Sequence, residues 1–214
     1  MRKWMAMDIE FHQKQIYLLP TGGLYIPEEN TLVVADLHLG KGVQLQDQGT
    51  PFIPQLDTQT VQKLLSDLRS YSPKLCIVCG DLIHARTRHL ADHLKWFESC
   101  IADVETKFVL TLGNHDSSDL QRLIPRFDCV NQYDLAGLVC AHYRLISRAS
   151  ISGHIHPGVQ LKKGRIRQYY KAFAVDEISI ILPSYGTYTG AFCRMDPSKK
   201  YYYISDGKVY YYTA

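Results

Sequence analysis

Five apolar runs punctuate the chain, and each ends in polar residues. Thr31-Leu32-Val33-Val34-Ala35 leads into Asp36-Leu37-His38, and Leu75-Cys76-Ile77-Val78-Cys79 leads into Gly80-Asp81-Leu82-Ile83-His84. Phe108-Val109-Leu110-Thr111-Leu112 leads into Gly113-Asn114-His115-Asp116. Leu138-Val139-Cys140-Ala141 ends at His142, and Ala149-Ser150-Ile151-Ser152 ends at Gly153-His154-Ile155-His156. Short continuous apolar runs predict buried strands. Between the first three, the period changes. Leu56, Val61, Leu64, Leu65 and Leu68 have helical spacing to about Ser70, where Pro73 blocks continuation. His89, Leu90, Leu94, Phe97 and Ile101 predict a second amphipathic helix. The order strand, helix, strand, helix, strand predicts an α/β core whose strand ends carry the polar groups. Residues 40–54, with Gly, Lys, Gln and Pro, read as a loop.

At the start, Ile16-Tyr17-Leu18-Leu19 and Leu24-Tyr25-Ile26 read as strands around the turn Pro20-Thr21-Gly22-Gly23. Strand alternation would point Asp36 and His38 the same way. A short helix is expected over residues 118–123, ending near Pro125, and short strands from about residue 127. Tyr201-Tyr202-Tyr203-Ile204 and Val209-Tyr210-Tyr211-Tyr212 flank Asp206-Gly207, a β-hairpin signature. Those tyrosines are either a base-stacking platform or strand formers on a half-buried face. With no repeat, low-complexity tract or linker, residues 1–214 are expected to form a single domain.

Composition narrows the class. A hydrophobic fraction of 46% and a charged fraction of 21% are those of a globular protein, and a net charge of +3 neither demands nor excludes an anionic partner. The six cysteines lie mostly inside apolar runs, so reduced core thiols are expected. Cys76 and Cys79, a Cys-x-x-Cys pair in a strand interior with no partner pair, do not read as a metal or redox site. The first residues hold no apolar secretory segment, and no run is long enough to span a membrane, so the expected location is cytoplasmic.

The strand-end groups are Asp36, His38, Asp81, Asn114, His142, His154 and His156. Any one histidine alone is more often structural. Seven oxygen and nitrogen donors, each just past a strand, exceed what one tetrahedral zinc takes. They suit two divalent ions sharing a carboxylate, with Mn²⁺, Fe²⁺ or Zn²⁺ favoured by the absence of thiolate.

In this order, Asp-x-His, Gly-Asp-x-x-His, Gly-Asn-His-Asp, a lone His and Gly-His-x-His resemble the calcineurin-like metallophosphoesterases over residues 31–192. The stretches 34–41 and 182–190 are most similar to a bacterial branch linked to ATP-dependent DNA ligase and helicase genes. That branch is described as a manganese-dependent phosphodiesterase and DNA endonuclease of damage response. The resemblance implies an α/β/β/α four-layer sandwich with metals at the carboxyl ends of the central strands. It implies one metal on Asp36, His38, Asp81 and His156, and another on Asp81, Asn114, His142 and His154. A hydroxide bridging the ions would attack phosphorus. His115 would face the scissile phosphate as general acid or charge stabiliser, with Asp116 orienting its ring. DNA is the implied partner, with repair proteins such as a ligase or helicase beside it.

Two positions depart from the common family pattern. His84 stands where many members carry Asp, and is expected to touch the substrate and bias the site toward diesters. Tyr143 follows the lone histidine where many members have Gly. Basic residues near the motifs form a candidate substrate rim: Lys41, Arg86, Arg88, Arg144, Arg148, Lys162, Lys163, Arg165, Arg167 and Lys171. A rim for a nucleic-acid backbone and an ordinary solvated face are both consistent with it. His89 and His93 read as surface residues. Two rivals to a DNA endonuclease remain. One is a small-molecule phosphomonoesterase or diesterase acting on nucleotides or nucleotide sugars. The other is a non-catalytic scaffold, which would be expected to have lost ligands that are all present here.

Overall fold

The computed structural model describes residues 6–41, 55–84, 90–117 and 119–213. The predicted loop at 40–54 lies almost wholly outside the described residues, as do Arg86, Arg88 and His89.

Two sheets face each other. The first runs β1(Met7–Phe11), β2(Lys14–Leu18), β3(Leu24–Ile26), β4(Thr31–Val34), β5(Leu75–Cys79), β6(Lys107–Thr111) and β7(Phe127–Val130) in spatial order. Pairing is antiparallel from β1 to β4 and parallel from β4 to β7. The crossovers carry α1(Gln55–Tyr71) and α2(Leu90–Cys100), and α3(Leu120–Leu123) precedes β7. α1 stops two residues before Pro73, as its pattern predicts. The second sheet comprises β8(Gln132–Leu135), β9(Leu138–Ala141), β10(Ser150–Ser152), β12(Ile166–Val175), β13(Ser179–Ile181), β14(Lys200–Ser205) and β15(Lys208–Tyr211). Its order is β15-β14-β12-β13-β10-β9-β8, with β11(Gly158–Lys163) paired to β12.

The continuous apolar runs are explained by burial on both faces. In the first sheet, Leu32, Val34, Cys76, Val78, Phe108 and Leu110 pack under Leu64, Leu68, Leu94 and Phe97 of the helices. Their neighbours Val33, Ala35, Ile77, Cys79 and Val109 pack against Cys140, Ile151, Phe173, Ile180 and Leu182 of the second sheet. Among the described residues all three helices lie on the first sheet. The outer face of the second sheet, where the resemblance implies a further helical layer, is closed by Val159, Ala172, Ala174, Ile181 and Tyr201.

The last hairpin turns through Asp206 and Gly207, both at positive φ, as a two-residue turn requires. Its tyrosines pair across the strands, Tyr203 with Tyr210 and Tyr202 with Tyr211, each at 5.3 Å between centroids. The six cysteines are free thiols, with Cys76, Cys79 and Cys140 buried. No described helix is long and apolar enough to cross a membrane.

Candidate metal centre

The carboxyl ends of β4, β5, β6, β9 and β10 open onto one edge of the sandwich. There the parallel pairing of β4 and β5 continues past the strands as paired turns. Asp36 N donates to Gly80 O, His38 N to Asp81 O, and His84 N to Leu39 O. Asp36 and His38 lie beyond β4, so strand alternation is not what makes them converge. Both adopt left-handed backbone, φ 55° and 50°, as do Asp81 at 47°, His154 at 68° and His156 at 49°. Strained backbone of this kind costs on the order of 1 kcal/mol per residue and concentrates at functional sites.

These turns gather donors from distant parts of the chain into two sets. Asp36, His38 and His156 form one, and Asp81, His142 and His154 the other, each with ligand atoms within 4.8 Å. In the first, His156 Nε2 lies 3.3 Å from His38 Nε2 and 3.4 Å from Asp36 Oδ2. In the second, His142 Nε2 lies 3.0 Å from His154 Nδ1, 3.0 Å from Asn114 Oδ1 and 3.7 Å from Asp81 Oδ2. Donor atoms held at adjacent positions around one ion, by bonds of about 2.1 Å, sit roughly 3 Å apart. Asp36 Oδ1 is buried without a hydrogen-bond partner, with His142 Nδ1 3.7 Å away. A buried carboxylate oxygen left this way is costly unless a cation meets it. The residues therefore fit divalent ions. Burial holds the His38 imidazole down to about 2, helped by His156, His84, His115 and Lys41, and burial likewise lowers His84 and His154. Neutral rings are the form that binds metal.

The motif glycines are dictated by these donors. A Cβ on Gly80 would fall 2.0 Å from His142 Nδ1, one on Gly113 2.2 Å from Asp81 Oδ1, and one on Gly153 2.4 Å from Asp36 Oδ2.

His115 reaches the same cluster, its Nε2 4.0 Å from Asp81 Oδ2, and its side chain is 40% exposed toward the opening. His84 stacks on it at 5.7 Å between centroids and places Nδ1 3.5 Å from His38 Nδ1. Asp116 does not orient the His115 ring as expected. Its carboxylate accepts from the backbone N–H groups of Gly113 at 3.0 Å, Ile83 at 3.3 Å and Leu82 at 3.4 Å, stapling the turn after β6 to the turn after β5. Burial raises it to about 6. Tyr143 covers the second set, its ring edge-on to His142 and His154 and its hydroxyl 3.4 Å from Asn114 Oδ1.

The basic rim divides. Arg144 is taken up by Asp176 at 2.8 Å and Ser179 at 2.9 Å, and Arg148 by Asp134 at 2.5 Å. Each guanidinium thus commits part of its N–H donors and its charge to a carboxylate of the fold. Lys41 stays near the first set and donates to Tyr188 O at 3.0 Å. Lys171 is no rim residue. It is half-buried inside the fold and donates to Ser184 O at 2.8 Å and Gly186 O at 2.5 Å, while Lys63 donates to Tyr185 O at 2.5 Å. The same segment donates back through Tyr185 N to Ala35 O and through Gly186 N to Asp36 O. Two lysines thus hold the 184–186 segment against the Asp36 turn, a role the sequence pattern does not signal. Burial lowers Lys171 to about 7 and Lys63 to about 8. His93 is not a free surface residue either, since its ring lies 2.9 Å from Asp57, which also accepts from Gly40 N.

A double sheet with helices on one face and two Asp/His donor sets at its strand ends is an arrangement suited to metal-dependent hydrolysis. The chain belongs to the calcineurin-like phosphoesterase family, whose model matches residues 30–187. Among solved structures, the nuclease MPE of Pseudomonas putida aligns over 97% of this chain and 100% of its own, with a TM-score of 0.77 and 24% identity. Lesser likenesses are the phosphoesterase Yfce of E. coli (TM-score 0.40, 14% identity, covering 82% of this chain and 88% of that one) and AQ665 of Aquifex aeolicus, a protein of unknown function (TM-score 0.41, 16% identity, covering 59% and 78%). No curated protein matches the sequence.

Proposed function

We propose that the chain is a two-metal phosphodiesterase acting on DNA as an endonuclease. The observation that carries this reading is the pair of Asp/His donor sets at one opening, which meet at Asp36, where His154 N donates to Oδ2 at 2.9 Å and His142 Nδ1 lies 3.7 Å from Oδ1. In it, Asp36, His38, His156 and Asp81 would hold one divalent ion, and Asp81, Asn114, His142 and His154 the second; the donors suit Mn²⁺, Fe²⁺ or Zn²⁺, and the resemblance to the manganese-dependent branch favours Mn²⁺. Such ions supply a water nucleophile at neutral pH and neutralise charge on the phosphoryl oxygens. His115, exposed beside Asp81, protonates the leaving oxygen or stabilises charge on it. His84, stacked on His115, widens the imidazole surface on the substrate side and favours a diester over a monoester. Asp116 fixes the turn that aims His115. The likeness of 34–41 and 182–190 to the ligase- and helicase-linked branch supports a role in DNA repair in the cytoplasm.

The test is cleavage of supercoiled plasmid, an aryl phosphodiester and an aryl phosphomonoester by metal-stripped protein with Mn²⁺ restored. Manganese-dependent nicking that is lost in Asn114→Ala and His115→Ala is the expected result. Ester hydrolysis without nicking would move the substrate to a small molecule such as a nucleotide or nucleotide sugar.

A further inference from the structure

Beyond the strand ends, β12 does something the rest of the sheet does not. Residues 172–175 pair with β14, and Ala174 and Val175 also pair with β13, but residues 166–171 pair only with β11. The outer half is therefore a two-stranded ribbon, a form that is marginal by itself. It starts at Gly158, two residues after His156.

The register sorts its two faces. Val159 and Leu161 pack with Tyr170 against the outer face of the second sheet. On the other face lie the cross-strand pairs Gln160 with Tyr169 and Lys162 with Arg167. Tyr169 is 63% exposed, and Lys162 and Arg167 are exposed. At its base this face meets Ala191 and Cys193, which flank the exposed Phe192, and Phe192 N donates to His156 O at 2.7 Å. Two cations directly opposite each other destabilise a strand pair. Among the described residues no carboxylate forms an ion pair with either. A like-charge pair placed on a marginal ribbon is electrostatically unfavourable until a polyanion lies across it.

We propose that this face of the β11–β12 ribbon is the docking surface for the phosphodiester backbone of a nucleic acid, leading the strand to the metal centre. Lys162 and Arg167 pair with phosphates, and Tyr169 and Gln160, already 3.2 Å apart through the tyrosine hydroxyl, supply neutral hydrogen bonds to the backbone. The inference rests on the endonuclease reading and deepens it.

The experiment compares wild type with Lys162→Gln/Arg167→Gln, using Lys200→Gln/Lys208→Gln on the last hairpin as a charge-matched control. Binding of fluorescein-labelled DNA by metal-free protein is followed by anisotropy over a salt series. Plasmid nicking and aryl phosphodiester hydrolysis are measured with Mn²⁺. The ribbon variant is expected to show a log affinity against log salt slope shallower by about 2 and reduced nicking, with aryl diester turnover unchanged and Tm equal or higher, because the repulsion is gone. The control keeps the wild-type slope. A ribbon variant that binds and nicks DNA as wild type does, or that loses aryl diester turnover equally, overturns the docking surface alone. A wild type that hydrolyses the aryl diester but neither binds nor nicks DNA overturns the endonuclease reading as well. A folding defect would be visible as a fall in Tm, and Tyr169→Ala then repeats the binding test without touching the charges.

Discussion

The backbone N–H of His115 donates to Asp81 Oδ1 at 3.0 Å, which ties the turn after β6 to the carboxylate that the turn after β5 presents. The other oxygen of Asp81 lies 3.7 Å from His142 Nε2. One side chain thus touches both the exposed imidazole's turn and the second donor set. Asp81→Asn preserves the shape and removes the charge. On the proposed two-ion arrangement, titration calorimetry with Mn²⁺ is expected to show both binding events weakened, whereas His38→Ala weakens one. Equal losses in the two variants would mean that Asp81 is not shared.

Gly113→Ala would place a methyl 2.2 Å from Asp81 Oδ1. The carboxylate or the turn has to move, with an overpacking cost of about 1–3 kcal/mol. The unfolding free energy of the metal-free variant, from urea titration, is expected to fall by that amount, and Mn²⁺ affinity is expected to fall with it. A variant of unchanged stability and affinity would contradict the tight turn described here.

His115 lies at the opening and is not among the clustered donors. His115→Ala is expected to lower kcat by roughly a hundredfold to ten-thousandfold, the range for a lost acid–base group, while calorimetry shows unchanged Mn²⁺ affinity. In His84→Ala the diester-to-monoester ratio is expected to drop. An unchanged ratio would remove His84 from substrate selection.

Lys171 gives a pH signature. Burial lowers it to about 7 in the fold, against an ordinary value of 10.5. Between those values the unfolded chain holds the proton and the folded chain does not, so stability rises with pH across that window. Below pH 7 both states are protonated and the penalty of burying the ammonium is present in full. The stability of metal-free wild type, relative to Lys171→Met, is therefore expected to climb from pH 7 toward 10.5. A flat difference would mean that Lys171 stays charged throughout.

The strands, the two long helices and the glycine-bounded strand ends are readable along the chain because each depends on neighbours a few residues away. Apolar runs buried on both faces give β4, β5 and β6, helical spacing gives α1 and α2, and Asp206-Gly207 gives the last turn. The donor types at those ends follow from the same local reading. Their partners do not. His154 N donates to Asp36 Oδ2 across 118 residues of sequence, a meeting decided by the packing of one sheet on the other. Asp116 stands beside His115 in the chain, yet its oxygens accept from the backbone N–H groups of Gly113, Leu82 and Ile83, because the parallel packing of β5 and β6 sets their two turns side by side. Arg144 and Lys171 look alike as basic residues after the histidine motifs. Tertiary contacts give one to Asp176 and bury the other against Ser184 and Gly186. Residue chemistry and short-range periodicity are carried by the sequence itself, whereas which charges are left free to meet a substrate depends on long-range packing that sequence spacing does not encode.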